Sequence, residues 1–314
     1  MIQFDYMELT YERADSLEEV GERRATFLAI GVFDGVHRGH QELLSTMVAA
    51  ARSQGARPAV LSFFPHPRVV IQRLEGRIYL TTLEERVRLL AAQGVDLVIV
   101  HTFDEEVRTT PAATFVDRLC HHVDLRELWG ASFSLGYRRE GDADFLRRLG
   151  AERGFTVHEI TNPTLWDGEQ VSSSRIRRAL KDGDLDVVNG CLNRRFTVGG
   201  EVVRGDQRGR TIGFPTANLD VWEQQLLPAN GVYATYAWID GERFLAATNI
   251  GVRPTVGEPK LAVEAYVLDF DRDIYGQELQ LAFVSRIRDE RKFPGLDALK
   301  AQIAADVEQV RQLL

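Results

Sequence analysis

The chain has 314 residues and a net charge of −8, with 44% hydrophobic and 27% charged residues. That length is enough for two domains, and the acidic balance argues against non-specific nucleic-acid binding, which needs positive surface. Its two cysteines, Cys120 and Cys191, exclude a disulfide framework and a multi-cysteine zinc site and suit a reducing cytosol.

The opening stretch, MIQFDYMELT, carries acids and lacks the apolar segment of a signal peptide. No run along the chain is long and apolar enough to span a bilayer, so a cytoplasmic protein is expected. From Thr26 onward, short apolar runs alternate with helical patterns. FLAIGVF reads as a buried strand, and HQELLSTMVAAARSQG follows with Leu43, Leu44, Met47, Val48 and Ala51 on one helical face and Gly55 as its stop. PAVLSFF is the next strand. TTLEERVRLLAAQG is a helix opened by a Thr82–Glu85 capping pattern, with Leu83, Val87 and Leu90 on one face. VDLVIV, RELWGAS and FTVHEI read as strands, and PAATFVDRLCHHV and ADFLRRLGAERG as helices. Strand alternating with helix predicts a parallel sheet covered on both faces, with its ligands at the carboxyl ends of the strands.

After Arg195 the period falls to two. FTVGGEVVRG, GVYATYAWI, RFLAATNIG, LAVEAYVLDF and ELQLAFVSRI read as strands, with a hairpin signal at Asp240 and Gly241. Short strands with turns between them predict an antiparallel barrel or sandwich. The closing PGLDALKAQIAADVEQVRQLL is an amphipathic helix with Leu296, Leu299, Ile303, Val307 and Val310 on one face. KDGDLDVVNGCLNRR, residues 181–195, is expected to form a short helix at the boundary, giving domains 1–186 and 187–314.

All seven histidines lie at or before His158, so chemistry beyond Asp186 must use carboxylates, hydroxyls, arginine, backbone or bound metal. None of the four lysines follows a glycine in a GK[ST] context, which excludes a Walker-type loop. GVFDGVHRGH, at the end of the first clear strand, is a candidate phosphate site instead. Glycine lets the backbone approach a ligand, the helix beyond offers unpaired N–H groups, and His37 and His40 can donate to phosphate oxygens. VSSSRIRRAL adds three serines and two arginines at a helix start, suited to capping and charge-assisted phosphate contacts.

GVFDGVHRGHQ with VSSSRIR resembles the HxGH nucleotidyltransferase superfamily in its flavin-adenylylating branch. The downstream half resembles riboflavin kinase, most clearly in RGRTIGFPTANL, residues 208–219. Together they resemble the bifunctional prokaryotic riboflavin kinase/FAD synthetase family. The likeness continues through FFPHPR, NIGVRPT, VEAYVLDFDRDIYG and IRDERKF.

This resemblance implies a Rossmann-like domain with a parallel sheet, followed by an antiparallel β-barrel with a C-terminal helix. The first would transfer AMP from ATP to FMN and release pyrophosphate. His37 and His40 would act on the phosphates, with Phe33, Asp34, Gly35, Gly39, Ser172, Ser173, Ser174, Arg175 and Arg177 around them. The second would phosphorylate riboflavin from ATP. There Glu264 would be the base, Thr216 and Asn218 the Mg2+ ligands, and Gly209, Arg210, Gly213 and Pro215 the ATP-binding loop. Arg288 and Phe293 would close on the flavin. On a strand, Glu264 shares a face with Tyr266 and opposes Val263 and Ala265. The implied partners are riboflavin, FMN and ATP, with no nucleic acid and no membrane, in a monomer or weak homo-oligomer.

Several positions depart from the family's usual pattern. Val32 stands in GVFDG where asparagine is usual. Ser132 stands where an acid or amide is usual, and Leu135 where an aromatic is usual. SSSR replaces SSTR, and CLNRRF stands near the boundary. The departures gather in or beside the first half. They leave open a riboflavin kinase with a weakened or inactive adenylyltransferase domain, and, from another class, a flavin-binding regulator without turnover.

Overall fold

A computed structural model describes residues 9–205, 209, 212–253 and 260–314. By contacts between its residues the chain divides into two compact units. Of the described residues, one comprises 9–76 together with Thr81–Ser172, and the other comprises Arg77–Leu80 together with Ser173–Leu314.

The first unit is built on a six-stranded parallel sheet. In chain order its elements are β1 (Glu12–Ala14), β2 (Ala25–Gly31), α1 (Arg38–Ser53), β3 (Arg57–Phe64), α2 (Pro67–Gln72), α3 (Leu83–Ala91), β4 (Leu97–Thr102), α4 (Glu105–Thr109), α5 (Ala112–His122), β5 (Asp124–Gly130), α6 (Ala143–Arg153), β6 (Thr156–Glu159) and a small hairpin, β7 (Leu165–Trp166) with β8 (Glu169–Gln170). The strand order is β1-β4-β3-β2-β5-β6. Winding therefore runs outward through β3 and β4 on one side of β2 and through β5 and β6 on the other. That reversal opens a crevice beyond the carboxyl ends of β2 and β5, where doubly wound sheets bind ligands. The strands form because they are apolar almost throughout. Phe27, Leu28, Ala29 and Ile30 of β2 are all buried, as strands covered on both faces require.

The capping pattern of α3 is present: the Thr82 hydroxyl accepts from the Glu85 N–H at 3.1 Å. α1 starts at Arg38, two residues before the expected start at His40, because His37 caps it. β1, with the sequence ERA, has no apolar pattern to announce it and pairs at the sheet edge with β4.

The second unit contains α7 (Ser173–Asp182), α8 (Leu185–Leu192), β9 (Phe196–Val203), β10 (Ala217–Val221), β11 (Gly231–Ile239), β12 (Glu242–Arg253), β13 (Lys260–Val267), β14 (Glu278–Arg288) and α9 (Leu296–Leu313). The six strands close into an antiparallel barrel in the order β10-β13-β12-β11-β14-β9. Closure leaves no free edge. Asp240 and Gly241 turn β11 into β12 with φ of 50° and 80°, the left-handed pair that a two-residue hairpin demands. α8 is the short helix expected near the boundary. β10 was not anticipated, because GFPTAN has the composition of a turn.

Outside the barrel, Val310 of α9 packs on Ala234 and Leu268, with Val307, Leu245 and Tyr266 around them. The expected apolar face of α9 is corrected at its start, where Leu296 is 65% exposed. The helix instead buries Asp306, which is ion-paired with Arg288 at 2.7 Å.

The four-residue segment Arg77–Leu80 is built into this second unit. The N–H groups of Ile78 and Tyr79 donate to the carbonyl of Gln224, and Leu226 donates back to Tyr79. Arg77 donates to the carbonyls of Trp222 and Gln225. The Tyr79 ring, 1% exposed, lies 5.1 Å from Trp222.

Candidate active sites

Three left-handed residues follow β2: Phe33 with φ 54°, Gly35 with φ 83° and Val36 with φ 38°. Such a conformation is costly for phenylalanine and more so for β-branched valine, and it persists only where the surroundings enforce it. Buried Asp34 does much of that enforcing. Its Oδ1 accepts from the N–H and the hydroxyl of Thr81, both at 3.3 Å, and from Arg86 at 3.4 Å. The fully buried Arg86 also donates to the carbonyls of Val32 and Phe63. Neither Arg86 nor Thr81 was identified from the sequence. Arg86 sits at what reads as a polar position of an amphipathic helix. Removing one partner of a buried ion pair leaves an uncompensated charge, at a cost of about 3–5 kcal/mol.

The turn delivers both histidines to one place. His37 is the N-cap of α1, its Nδ1 accepting from the His40 N–H at 3.4 Å. The two imidazoles stack with centroids 3.6 Å apart and planes within 15°. Phe33 meets His40 edge-on at 5.1 Å. Gly39 lies between them in the first helical turn. A Cβ added there would stand 3.4 Å from His37 and from the Thr164 hydroxyl, an ordinary contact. The fold by itself therefore does not require glycine at this position. Arg38, alongside, stacks over Trp166 of the β7–β8 hairpin at 4.6 Å.

His40 opens onto a cavity of about 850 Å3 at the crevice of the sheet. Its apolar wall includes Phe33, Phe63, Phe103 and Phe115, and its rim carries Arg68, Arg108, Arg138 and Arg139. Three of the departures from the family pattern, Val32, Ser132 and Leu135, line it. A large, mainly apolar cavity with a few polar groups beside a candidate phosphate turn suits a flat aromatic molecule that carries a phosphate.

His101 sits in direct ring contact with two of these wall residues, 6.0 Å from Phe63 and 5.5 Å from Phe115. It is 5% exposed, and neither ring nitrogen has a hydrogen-bond partner among the described residues. Burial, reinforced by Arg118, holds its pKa below the usual 6.5, against the opposing pull of Glu18 and Asp104. The unfolded chain thus takes up this proton at a higher pH than the folded one does. Its contribution is complete above about pH 6.5 and is lost as pH falls below that value, with a slope of at most about 1.4 kcal/mol per pH unit. Thermal unfolding followed from pH 7.5 to 5 should show the melting temperature falling with acid, and His101→Phe should flatten that fall.

The serine–arginine motif straddles the division between the units. Ser172 ends the first, and Ser173, Ser174, Arg175 and Arg177 open α7 in the second. Arg175 is buried, and the Nε of Arg177 donates to the carbonyl of Ile78 at 2.9 Å.

In the barrel, the pairing register joins residues far apart in sequence. Asn218 on β10 is directly opposite Glu264 on β13, and Glu264 is directly opposite Asn249 on β12. Directly paired residues point to one face. That face also carries Tyr266, while Val263 and Ala265 are buried on the other, as the strand alternation predicts. A Cβ on Gly205 would stand 2.4 Å from the Asn218 amide, so the glycine lets the backbone close on that side chain. Thr216 and Pro215 line a second cavity, of about 370 Å3, together with Asp271, Arg272, Asp273 and Tyr275. The Gly209 carbonyl accepts from the Phe214 N–H at 2.9 Å, and a Cβ on Gly209 would stand 2.3 Å from the Phe214 carbonyl oxygen. Gly213 is left-handed, with φ 86°. Arg210 lies outside the described residues.

Arg288 is engaged by α9. Its guanidinium makes three contacts with the Asp306 carboxylate, at 2.7–3.1 Å, and lies 5.6 Å from the Phe293 ring. Gln302 donates to the same carboxylate at 2.7 Å and accepts from Arg291, which also lies over Phe293. Among the described residues no group of three or more His, Cys, Asp or Glu is disposed to hold a metal ion, and no helix is long and apolar enough to cross a membrane.

Comparison with known proteins covers both halves. A family described as FAD synthetase matches residues 20–175, and one described as riboflavin kinase matches residues 192–314. The chain is 38% identical over 288 residues to the bifunctional riboflavin kinase/FMN adenylyltransferase of Listeria monocytogenes, spanning 90% of this chain and 91% of that one. It is 39% identical over 288 residues to the protein of the same name from Escherichia coli K12, spanning 91% of each. Among solved structures, one described as a macrolide-efflux protein from Streptococcus pneumoniae superposes with a TM-score of 0.86 at 29% identity, covering 96% of this chain and 99% of that one.

Proposed function

The chain belongs to the bifunctional riboflavin kinase/FMN adenylyltransferase family and is an enzyme of both kinds, and we propose which of its residues carry each reaction. The adenylyltransferase groups lie within residues 1–186 and the kinase groups within 187–314.

In adenylylation, a phosphate oxygen of FMN attacks the α-phosphorus of ATP and pyrophosphate leaves. His40 and His37 donate to the phosphate oxygens as charge shifts in the transition state. Asp34 acts as a positioning residue through Arg86 and Thr81, and Phe33 and Gly35 shape the turn. Ser172, Ser173, Ser174 and Arg175 hold the triphosphate, and Arg177 does so while anchoring Ile78. The flavin occupies the cavity beside His40. Ser132 has less reach than an amide or acid, so the phenylalanine wall and the arginine rim supply most of the grip.

Gly39 is kept as glycine for a ligand rather than for the fold, since the surrounding protein leaves room for a Cβ. Gly39→Ala should therefore leave the melting temperature unchanged or raised, since alanine favours a helix. FAD formation from FMN should fall about 10- to 100-fold, because a displaced phosphate loses its alignment. Assaying both properties on one preparation checks this.

In phosphorylation, the terminal ribityl hydroxyl of riboflavin gives its proton to Glu264, its oxygen attacks the γ-phosphorus of ATP, and ADP leaves. A hydroxyl and a carboxamide two residues apart, Thr216 and Asn218, are hard oxygen donors that fit Mg2+ completed by phosphate oxygens and water. Bound there, the ion would offset charge on the transferred group. Gly209, Arg210, Gly213 and Pro215 form the loop around ATP, and Arg288 with Phe293 closes over the flavin. The observation that most directly supports this assignment is the register that sets Asn218 opposite Glu264. A cytoplasmic setting, a monomer or weak homo-oligomer, and the absence of a nucleic-acid partner complete the proposal, in line with the net charge of −8.

Incubating the protein with riboflavin, ATP and magnesium and resolving the flavins by chromatography tests the whole reading. FMN and then FAD should accumulate. FMN alone would mean that the Ser132 and Leu135 changes have disabled the first site.

A further inference from the structure

The NIGVRPT stretch has no role in the chemistry so far, yet its first residue, Asn249, sits in the catalytic row. It is directly paired with Glu264, on the side away from Asn218. Strand spacing sets its Cβ about 5 Å from that of Glu264 and on the same face. From Asn249 the lateral pairing runs on to Val232, and from Val232 to Arg288. Asn249 thus lies between the proposed base for the terminal hydroxyl and the arginine proposed to close over the flavin ring. Two residues further along β12, Gly251 has the Glu290 carboxylate against it, where a Cβ would stand 2.3 Å from the carboxylate oxygen. The RDERKF segment therefore rests on this same strand.

The Asn249 side chain is half-buried and makes no hydrogen bond among the described residues. A carboxamide both donates and accepts, and at this half-buried position no protein partner among the described residues competes with a ligand for it. A polyol chain offers hydroxyls of matching character. We infer that Asn249 is a substrate-binding residue of the kinase site, hydrogen-bonding a secondary hydroxyl of the ribityl chain and so presenting the terminal hydroxyl to Glu264. The inference rests on the assignment of Glu264 as base.

The test compares wild type, Asn249→Leu and Glu264→Gln on riboflavin and on analogues lacking the 3′- or the 4′-hydroxyl. FAD formation from supplied FMN serves as the control for folding. Asn249→Leu should lower kcat/KM for riboflavin about 10- to 100-fold, the scale of one lost hydrogen bond to substrate, with the KM for ATP unchanged. One deoxy analogue should suffer a similar loss with wild type and almost none further with Asn249→Leu, because the two changes remove the same bond. Losses that multiply in full, or an Asn249→Leu loss under twofold, would overturn the inference. Glu264→Gln that still turns over riboflavin would overturn the base assignment instead, which keeps the two failures distinct.

Discussion

Replacing His40 with alanine should lower FAD formation from FMN and ATP by about two to three orders of magnitude, the usual cost of removing one donor aimed at developing charge. FMN formation from riboflavin should stay within twofold of wild type. The geometry makes His40 a cleaner target than its neighbour. His37 uses Nδ1 to cap α1, so His37→Ala also removes a helix cap, worth about 1 kcal/mol. His40 lies on the helix beyond the cap, stacked on His37, with Phe33 at its edge and the cavity in front. Its loss therefore falls mainly on the chemistry. Both activities are read in one chromatogram. Loss of both in a protein that still melts cooperatively would refute the division of roles between the two sites.

Glu264→Gln should lower riboflavin phosphorylation by about 10²- to 10⁴-fold, the range for loss of a general base, while FMN supplied from outside is still converted to FAD. Glutamine keeps the shape of the side chain and its hydrogen-bonding reach, so the change removes the ability to accept a proton with little change in packing. The KM for ATP should move little, since the nucleotide loop and Thr216 are untouched. FMN production above about a tenth of wild type would place the base elsewhere. With no histidine beyond Asp186, another carboxylate would then be the candidate.

Much of the architecture was legible because it is written in local periods. The apolar strands β2, β3 and β4, the Thr82 cap and the Asp240–Gly241 hairpin each depend on residues close in sequence. What stayed hidden depends on pairing over long separations. Arg86 reads as a solvent-facing helix residue until the carbonyls of Val32 and Phe63, 54 and 23 residues away, are found to receive it. Asp306 looks like a surface acid until Arg288 and Gln302 enclose it. The individual residues of the kinase row were recognisable from motifs, but their adjacency was not, since register among β10, β12 and β13 is fixed by barrel closure. The PTAN stretch reads as a turn, and only the second half of it enters a strand, which is why Asn218 faces Glu264 at all.

The segment Arg77–Leu80 has a consequence for how such an enzyme can be taken apart. In sequence it belongs to the half that adenylylates, but its peptide groups and the Tyr79 ring complete the surface beneath Trp222 and Gln225. Dividing the gene between residues 186 and 187 would give a kinase fragment with a gap where Tyr79 had been, and a partner fragment carrying an exposed tyrosine and the apolar side of α7. The two activities are thus separable by point mutation more cleanly than by cutting the chain. Expressed apart, the two fragments should each melt at a lower temperature than the same region of the intact chain, because each exposes a surface that the other fills.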